Sequence, residues 1–136
     1  METFKFEKLR IWHTVVDFGE LIFDVSCRFP IDEKYNLISQ IRRAADSIVL
    51  NIAEGSTGQS TKEFRKFIGY SLRSLAEVVT CLHKAKRRKY LPESEFSSFY
   101  TQAYTLMNSM GAFRATLKTK KATEKRDTNS RDTPTS

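Results

Sequence analysis

Glu54 and Glu77 each follow a small polar residue, Asn51 and Ser74, by three positions, so on a helix each carboxylate shares a face with an amide or a hydroxyl. Paired carboxylates can act as acid and base, or hold a divalent metal, when the helices carrying them align. The rest of such a centre is missing. His13 sits beside Trp12, His83 sits beside a basic run, and neither CxxC nor HxxxH occurs. Ser47 has no recognisable base to activate it. Gly55 and Gly58 lack the following Lys-Ser or Lys-Thr of a phosphate loop. Two readings of the glutamates stand: a cryptic metal-dependent nuclease, or a structural hydrogen-bond network. The second is preferred, and with it a non-enzymatic protein without cofactor or metal.

The helix that carries Glu54 has an unusual second stripe. Leu37, Ile41, Ile48 and Ile52 form an ordinary apolar stripe at helical spacing. Beside it, Gln40, Ala44, Ser47, Asn51 and Glu54 form a small or polar row. A surface helix needs one apolar and one charged face. A row of amides and a hydroxyl suits a specified contact with another helix, another subunit or a ligand.

The elements that position these residues are all helical. Only 5 Gly and 3 Pro interrupt 136 residues, a length that allows one domain with a core of its own. The first helix is expected from about Lys8 to Arg28, with Gly19 inside it as either a close helix approach or a tolerated weak spot. Phe29-Pro30 ends it. Asp32 is placed to cap the second helix, Glu33 to Glu54, and Gly55 to close it in the left-handed conformation. Ser60-Thr61-Lys62-Glu63 is a capping box that opens a third helix running to about Lys89. Pro92 stands near the start of a fourth, which fades near Lys118. The expected architecture is all-α, an antiparallel up-down-up-down four-helix bundle over residues 1–118. Residues 119–136, with no large apolar side chain, form a disordered basic tail.

Cys27 and Cys81 read as free, buried thiols on separate helices, which suits a reducing cytoplasm. No apolar run approaches the roughly 18 residues that span a bilayer, so no membrane role is expected. The formal net charge of +7 favours an acidic partner such as nucleic acid. Lys84, Lys86, Arg87, Arg88 and Lys89 concentrate that charge at the end of the third helix. They suit the negative end of the helix dipole, or they contact phosphates. Arg42 and Arg43 face away from the apolar stripe. Asp46, four residues after Arg42, offers it a local pair.

Taken together, the motifs resemble one bacterial family, the four helix bundle proteins, also called 23S rRNA-intervening-sequence proteins. The resemblance covers about residues 4 to 117. It rests on Leu9-Arg10-Ile11-Trp12, Phe29-Pro30, Gln40-Ile41-Arg42-Arg43-Ala44-Ala45-Asp46-Ser47 and Asn51-Ile52-Ala53-Glu54-Gly55. Glu63-Phe64-Arg65-Lys66-Phe67 and Ser71-Leu72-Arg73-Ser74-Leu75-Ala76-Glu77 extend it. The resemblance implies an up-down bundle assembled as a homo-pentamer, with RNA or DNA as the suggested ligand. One departure is Arg73, which stands where the family commonly has a tiny residue.

The resulting expectation is an oligomeric helical bundle, a pentamer first, that binds structured RNA or other nucleic acid and takes no small-molecule substrate. Arg42, Arg73, Lys84, Lys86, Arg87, Arg88 and Lys89 are the candidate phosphate contacts. Gln40, Arg43, Ser47, Asn51, Glu54 and Glu77 are the candidate interface or polar network. A protein-interaction scaffold with incidental basic charge is the alternative.

Overall fold

Apolar residues recur every three or four positions along four segments, and each segment is a helix in the computed structural model: α1 (Arg10–Ser26), α2 (Ser39–Thr57), α3 (Thr61–Arg87) and α4 (Glu93–Asp132). The structure describes residues 2–132 in backbone and residues 2–117 in side chain; the tail expected at 119–136 lies outside the described side chains. No strand occurs among the described residues. The fold is an all-α bundle, with α2 packed most extensively on α3, α3 on α4, and α1 on α2. Successive helices run antiparallel. Ser71 and Ser74 of α3 meet Ile48 and Ser47 of α2, while Phe64 near the start of α3 meets Phe113 midway along α4 and His83 near its end meets Phe96. The contact between α1 and α4 is thinner. Arg28, just past α1, makes a bidentate pair with Glu95 at the start of α4 there.

Ile22, Ile41, Ile48, Ile52, Ile68, Leu82 and Met110 are buried at the centre, where each contributes about 1.5–3 kcal/mol. Ser60 caps α3, its hydroxyl accepting from the Glu63 amide at 3.0 Å. That is the serine half of the expected capping box. The Glu63 carboxylate lies instead beside Gly58, where an added Cβ would meet it at 3.1 Å.

The ends of α2 differ from expectation. Asp32 makes no capping bond; the chain enters α2 through a 3-10 turn at Ile31–Glu33 and a π turn at Lys34–Ile38. Gly55 is not a left-handed cap. It is buried within α2, which continues to Thr57, and no described glycine has a positive φ. A Cβ at Gly55 would stand 2.7 Å from Phe67 Cβ and 2.8 Å from Phe64 Cδ1. The glycine is there because two phenylalanines of α3 cross it. Gly19 is the opposite case. Its added Cβ would meet only Val49 Cγ2, at 3.9 Å, so the weak-spot reading holds.

A non-glycine residue supplies the left-handed turn after α3. Lys89 has φ 65°, while Tyr90 N–H donates to Ala85 O at 2.9 Å and Lys89 N–H to Lys86 O at 3.0 Å. Those bonds satisfy the last carbonyls and offset the roughly 1–2 kcal/mol strain of a side chain in that conformation. The turn also aims Tyr90 at Glu33, whose carboxylate accepts from the Tyr90 hydroxyl and the Arg88 guanidinium, both at 2.9 Å. The Tyr90 hydroxyl, with Arg88 assisting, holds the Glu33 carboxyl below its ordinary range, although burial opposes the shift. The same bond raises the Tyr90 phenol.

Candidate functional site

The polar row of α2 is turned partly into the bundle. Asn51 Nδ2 donates to Ser47 O at 2.8 Å and to Ser47 Oγ at 2.9 Å. Ser74 Oγ donates to Ser47 Oγ at 2.8 Å, and Ser71 Oγ donates to Ile48 O at 2.8 Å. Buried hydroxyls need partners, and these four side chains supply them across one helix pair. Ser47 and Asn51 therefore serve the α2–α3 seam within a single chain. Ser71 and Ser74 of α3 are the partners.

The other members of the proposed network lie apart. Gln40 donates to Asn36 Oδ1 at 3.2 Å, one turn back along its own chain. Arg43, Glu54 and Glu77 are exposed. With Ser47 opposite Ser74, Glu77 is level with about Ala44, roughly ten residues or about 15 Å along α2 from Glu54. The antiparallel register thus separates the two carboxylates that a metal-dependent nuclease would have paired. Among the described residues no group of three His, Cys, Asp or Glu is placed to hold a metal ion.

The candidate cations divide into engaged and free ones. Arg42 ignores Asp46. Its Nε donates to Ser26 Oγ at 2.8 Å, its Nη2 to Cys27 Sγ at 3.3 Å, and its guanidinium lies 4.3 Å from the Phe23 ring centroid. It is held against the C-terminal end of α1, where helix carbonyls favour a cation. Cys27 is exposed there, contrary to the expected burial, because it lies off the buried row Val15, Phe18, Ile22, Val25 and Phe29. Cys81 is buried, and burial pushes its thiol up. Lys86 pairs with Glu93 at 3.1 Å and lies over Phe96, and Arg88 pairs with Glu33 at 2.9 Å. Two of the five cations of the terminal run therefore anchor the α3–α4 turn. Lys84, Arg87 and Lys89 remain exposed, without a described ion pair. Gln40, Arg73, Glu77 and Lys84 come together in a shallow dip over Cys81.

The densest free charge lies elsewhere. An open depression of about 860 Å³ runs along the first half of α3 and is lined by Lys62, Glu63, Arg65, Lys66, Phe67, Tyr70 and Arg73, with Arg114 from α4. It holds five cations and one carboxylate. Arg114 is positioned: its Nε donates to Arg65 O at 3.0 Å, and its guanidinium crosses α3 at Gly69, where an added Cβ would meet Nη2 at 3.6 Å. Arg65 Nε is buried without a partner. Tyr70, half-buried, stands between Lys66 and Arg73, whose charged ends are 5.9 and 5.8 Å from its ring centroid. Arg73 is exposed in this row, so the departure from a tiny residue does not disturb the α2–α3 packing.

Only Arg73 of this depression is among the sequence candidates. Lys62, Lys66, Tyr70 and Arg73 recur at helical spacing, a signal that was available. Arg65 and Arg114 required the α3–α4 register. A second surface is apolar: Tyr100, Tyr104 and Met107 of α4 are exposed beside Leu72, Val79 and His83 of α3. No helix among the described residues is long and apolar enough to cross a membrane.

The family model for the 23S rRNA-intervening sequence protein matches residues 7–112, which takes in α1 to α3 and the first half of α4. No curated protein gives a match to the chain.

Proposed function

Because the chain belongs to the 23S rRNA-intervening sequence protein family, we propose that it is a non-enzymatic bundle that binds nucleic acid, structured RNA first, through phosphate contacts. The observation that carries this reading is the α3–α4 depression, where five cations surround one carboxylate on an open surface. Unpaired guanidinium and ammonium groups at that density suit a chain of phosphates, whose counterions they release. Lys84, Arg87 and Lys89 at the far end of α3 form a second, weaker contact, while Arg42, Lys86 and Arg88 are occupied within the fold.

The chain acts as a homo-oligomer in this reading, a pentamer first. Exposed Tyr100, Tyr104 and Met107 on one side and exposed Leu21, Phe23 and Leu50 on α1 and α2 supply apolar surface for unlike faces to meet. A ring multiplies a weak phosphate contact by avidity. Filter binding with 23S rRNA fragments over a range of salt tests the binding. Affinity that falls steeply with salt is expected, and no binding at low salt overturns the reading. Light scattering tests the assembly, and a monomer mass at micromolar concentration overturns it.

A further inference from the structure

We propose that the α3–α4 depression takes an unpaired stretch of nucleic acid, with one base stacked on Tyr70 and the flanking phosphates held by Lys62, Lys66, Arg73 and Arg114. This rests on the nucleic-acid reading of that surface and goes beyond it by naming the form of strand.

Three observations point to a single strand. First, the cations form a row. Lys62 to Arg73 spans about 16 Å along one helix face, long enough to follow several phosphates of one strand. Second, an aromatic ring interrupts the row. Tyr70 is bracketed by Lys66 and Arg73, and Phe67 meets its ring edge-on at 5.5 Å, which fixes its orientation. Its hydroxyl has no described partner, so the ring is not held there by a hydrogen bond. A phosphate site built for charge alone has no use for a half-buried ring. A strand with free bases does, because every base has a face to stack. Third, the ring is half-buried in a depression lined by α3 and by Arg114 of α4. A duplex keeps its base faces inside its own stack and presents a convex backbone, so it cannot bring a base onto Tyr70. Arg114 then reaches in from α4, fixed by its bond to Arg65 O, as a guanidinium fork for a phosphate beside the stacked base.

Fluorescence anisotropy of the full chain against three labelled probes of equal length tests this: an oligouridine, an oligothymidine and an RNA duplex. The oligouridine is expected to bind at least as tightly as the duplex. Tyr70→Ala is expected to weaken it about tenfold while Tyr70→Phe retains affinity, and the duplex is expected to change little. The oligothymidine is expected within a few-fold of the oligouridine, since the site offers contacts to phosphates and ring faces. Equal loss on single strand and duplex, or no loss from Tyr70→Ala, overturns the inference and leaves phosphate binding standing. Failure of all three probes to bind overturns both. Melting temperatures of the two Tyr70 variants, expected to match within a few degrees, separate lost stacking from lost fold.

Discussion

The hydroxyl of Ser74 on α3 donates to the hydroxyl of Ser47 on α2 at 2.8 Å, and Asn51 donates to the same oxygen at 2.9 Å. One serine oxygen thus receives two donors in a seam flanked by buried Ile48, Ile52 and Leu75. Removing it takes the acceptor from the Ser74 hydroxyl, while Asn51 keeps its bond to Ser47 O at 2.8 Å. Ser47→Ala is expected to destabilise by about 1–3 kcal/mol, with the Ser74→Ala double mutant less than additive. Chemical denaturation measures both. Asn51→Leu is expected to cost more than Lys86→Ala, whose exposed pair with Glu93 is worth at most about 1 kcal/mol.

Gly55 and Gly19 should respond to alanine with opposite signs. At Gly55 the new methyl collides with Phe67 and Phe64 of α3, and a loss of about 1–3 kcal/mol is expected. At Gly19 the methyl finds only Val49 at 3.9 Å, and the gain in helix propensity is about 1 kcal/mol. Thermal melts of the two variants should move to opposite sides of the parent.

Glu33 should make stability depend on pH in the acid range. Its carboxyl is held down chiefly by the Tyr90 hydroxyl and then by Arg88, so the folded state prefers the ionised form. That contribution is fully present above the ordinary glutamate range and is lost as pH falls through the lowered folded value. The stability difference between the parent and Glu33→Gln should therefore be largest near neutral pH and shrink below about pH 4. A difference that stays constant down to pH 3 would contradict this role.

Much of the architecture was legible in the sequence, because it follows from periodicity that local residues carry. The four helices, the Ser60 cap and the free Cys81 needed no knowledge of neighbours. What was misread depended on a partner from elsewhere in the chain. Gly55 looks like a helix terminator until Phe64 and Phe67 are known to lie on it. Arg42 looks paired with Asp46 until the end of α1 brings Ser26 and Cys27 closer. Glu54 and Glu77 look like a pair until the α2–α3 register sets them about 15 Å apart. The candidate site was the least legible part. The dense run Lys84–Lys89 draws the eye, yet two of its members are spent on the α3–α4 turn. The sparser cations at Lys62, Lys66 and Arg73 gather with Arg65 and Arg114 only when α4 packs beside α3.

The basic depression and the terminal run can be separated by substitution. Lys86→Ala and Arg88→Ala should leave RNA affinity within about twofold, since a cation already paired releases few counterions. Arg88→Ala should instead lower the melting temperature by removing a partner from Glu33. Filter binding and thermal melts on the same preparations check both.

The central claim is that phosphates dock in the α3–α4 depression, and the salt dependence of RNA binding tests it most directly. For the parent and for Lys62→Ala/Lys66→Ala/Arg114→Gln, the logarithm of affinity for a 23S rRNA fragment is plotted against the logarithm of salt. The slope should fall by roughly 2–3 in the triple variant, somewhat under one unit per cation removed. A triple variant that melts like the parent and keeps its slope and affinity would contradict the account.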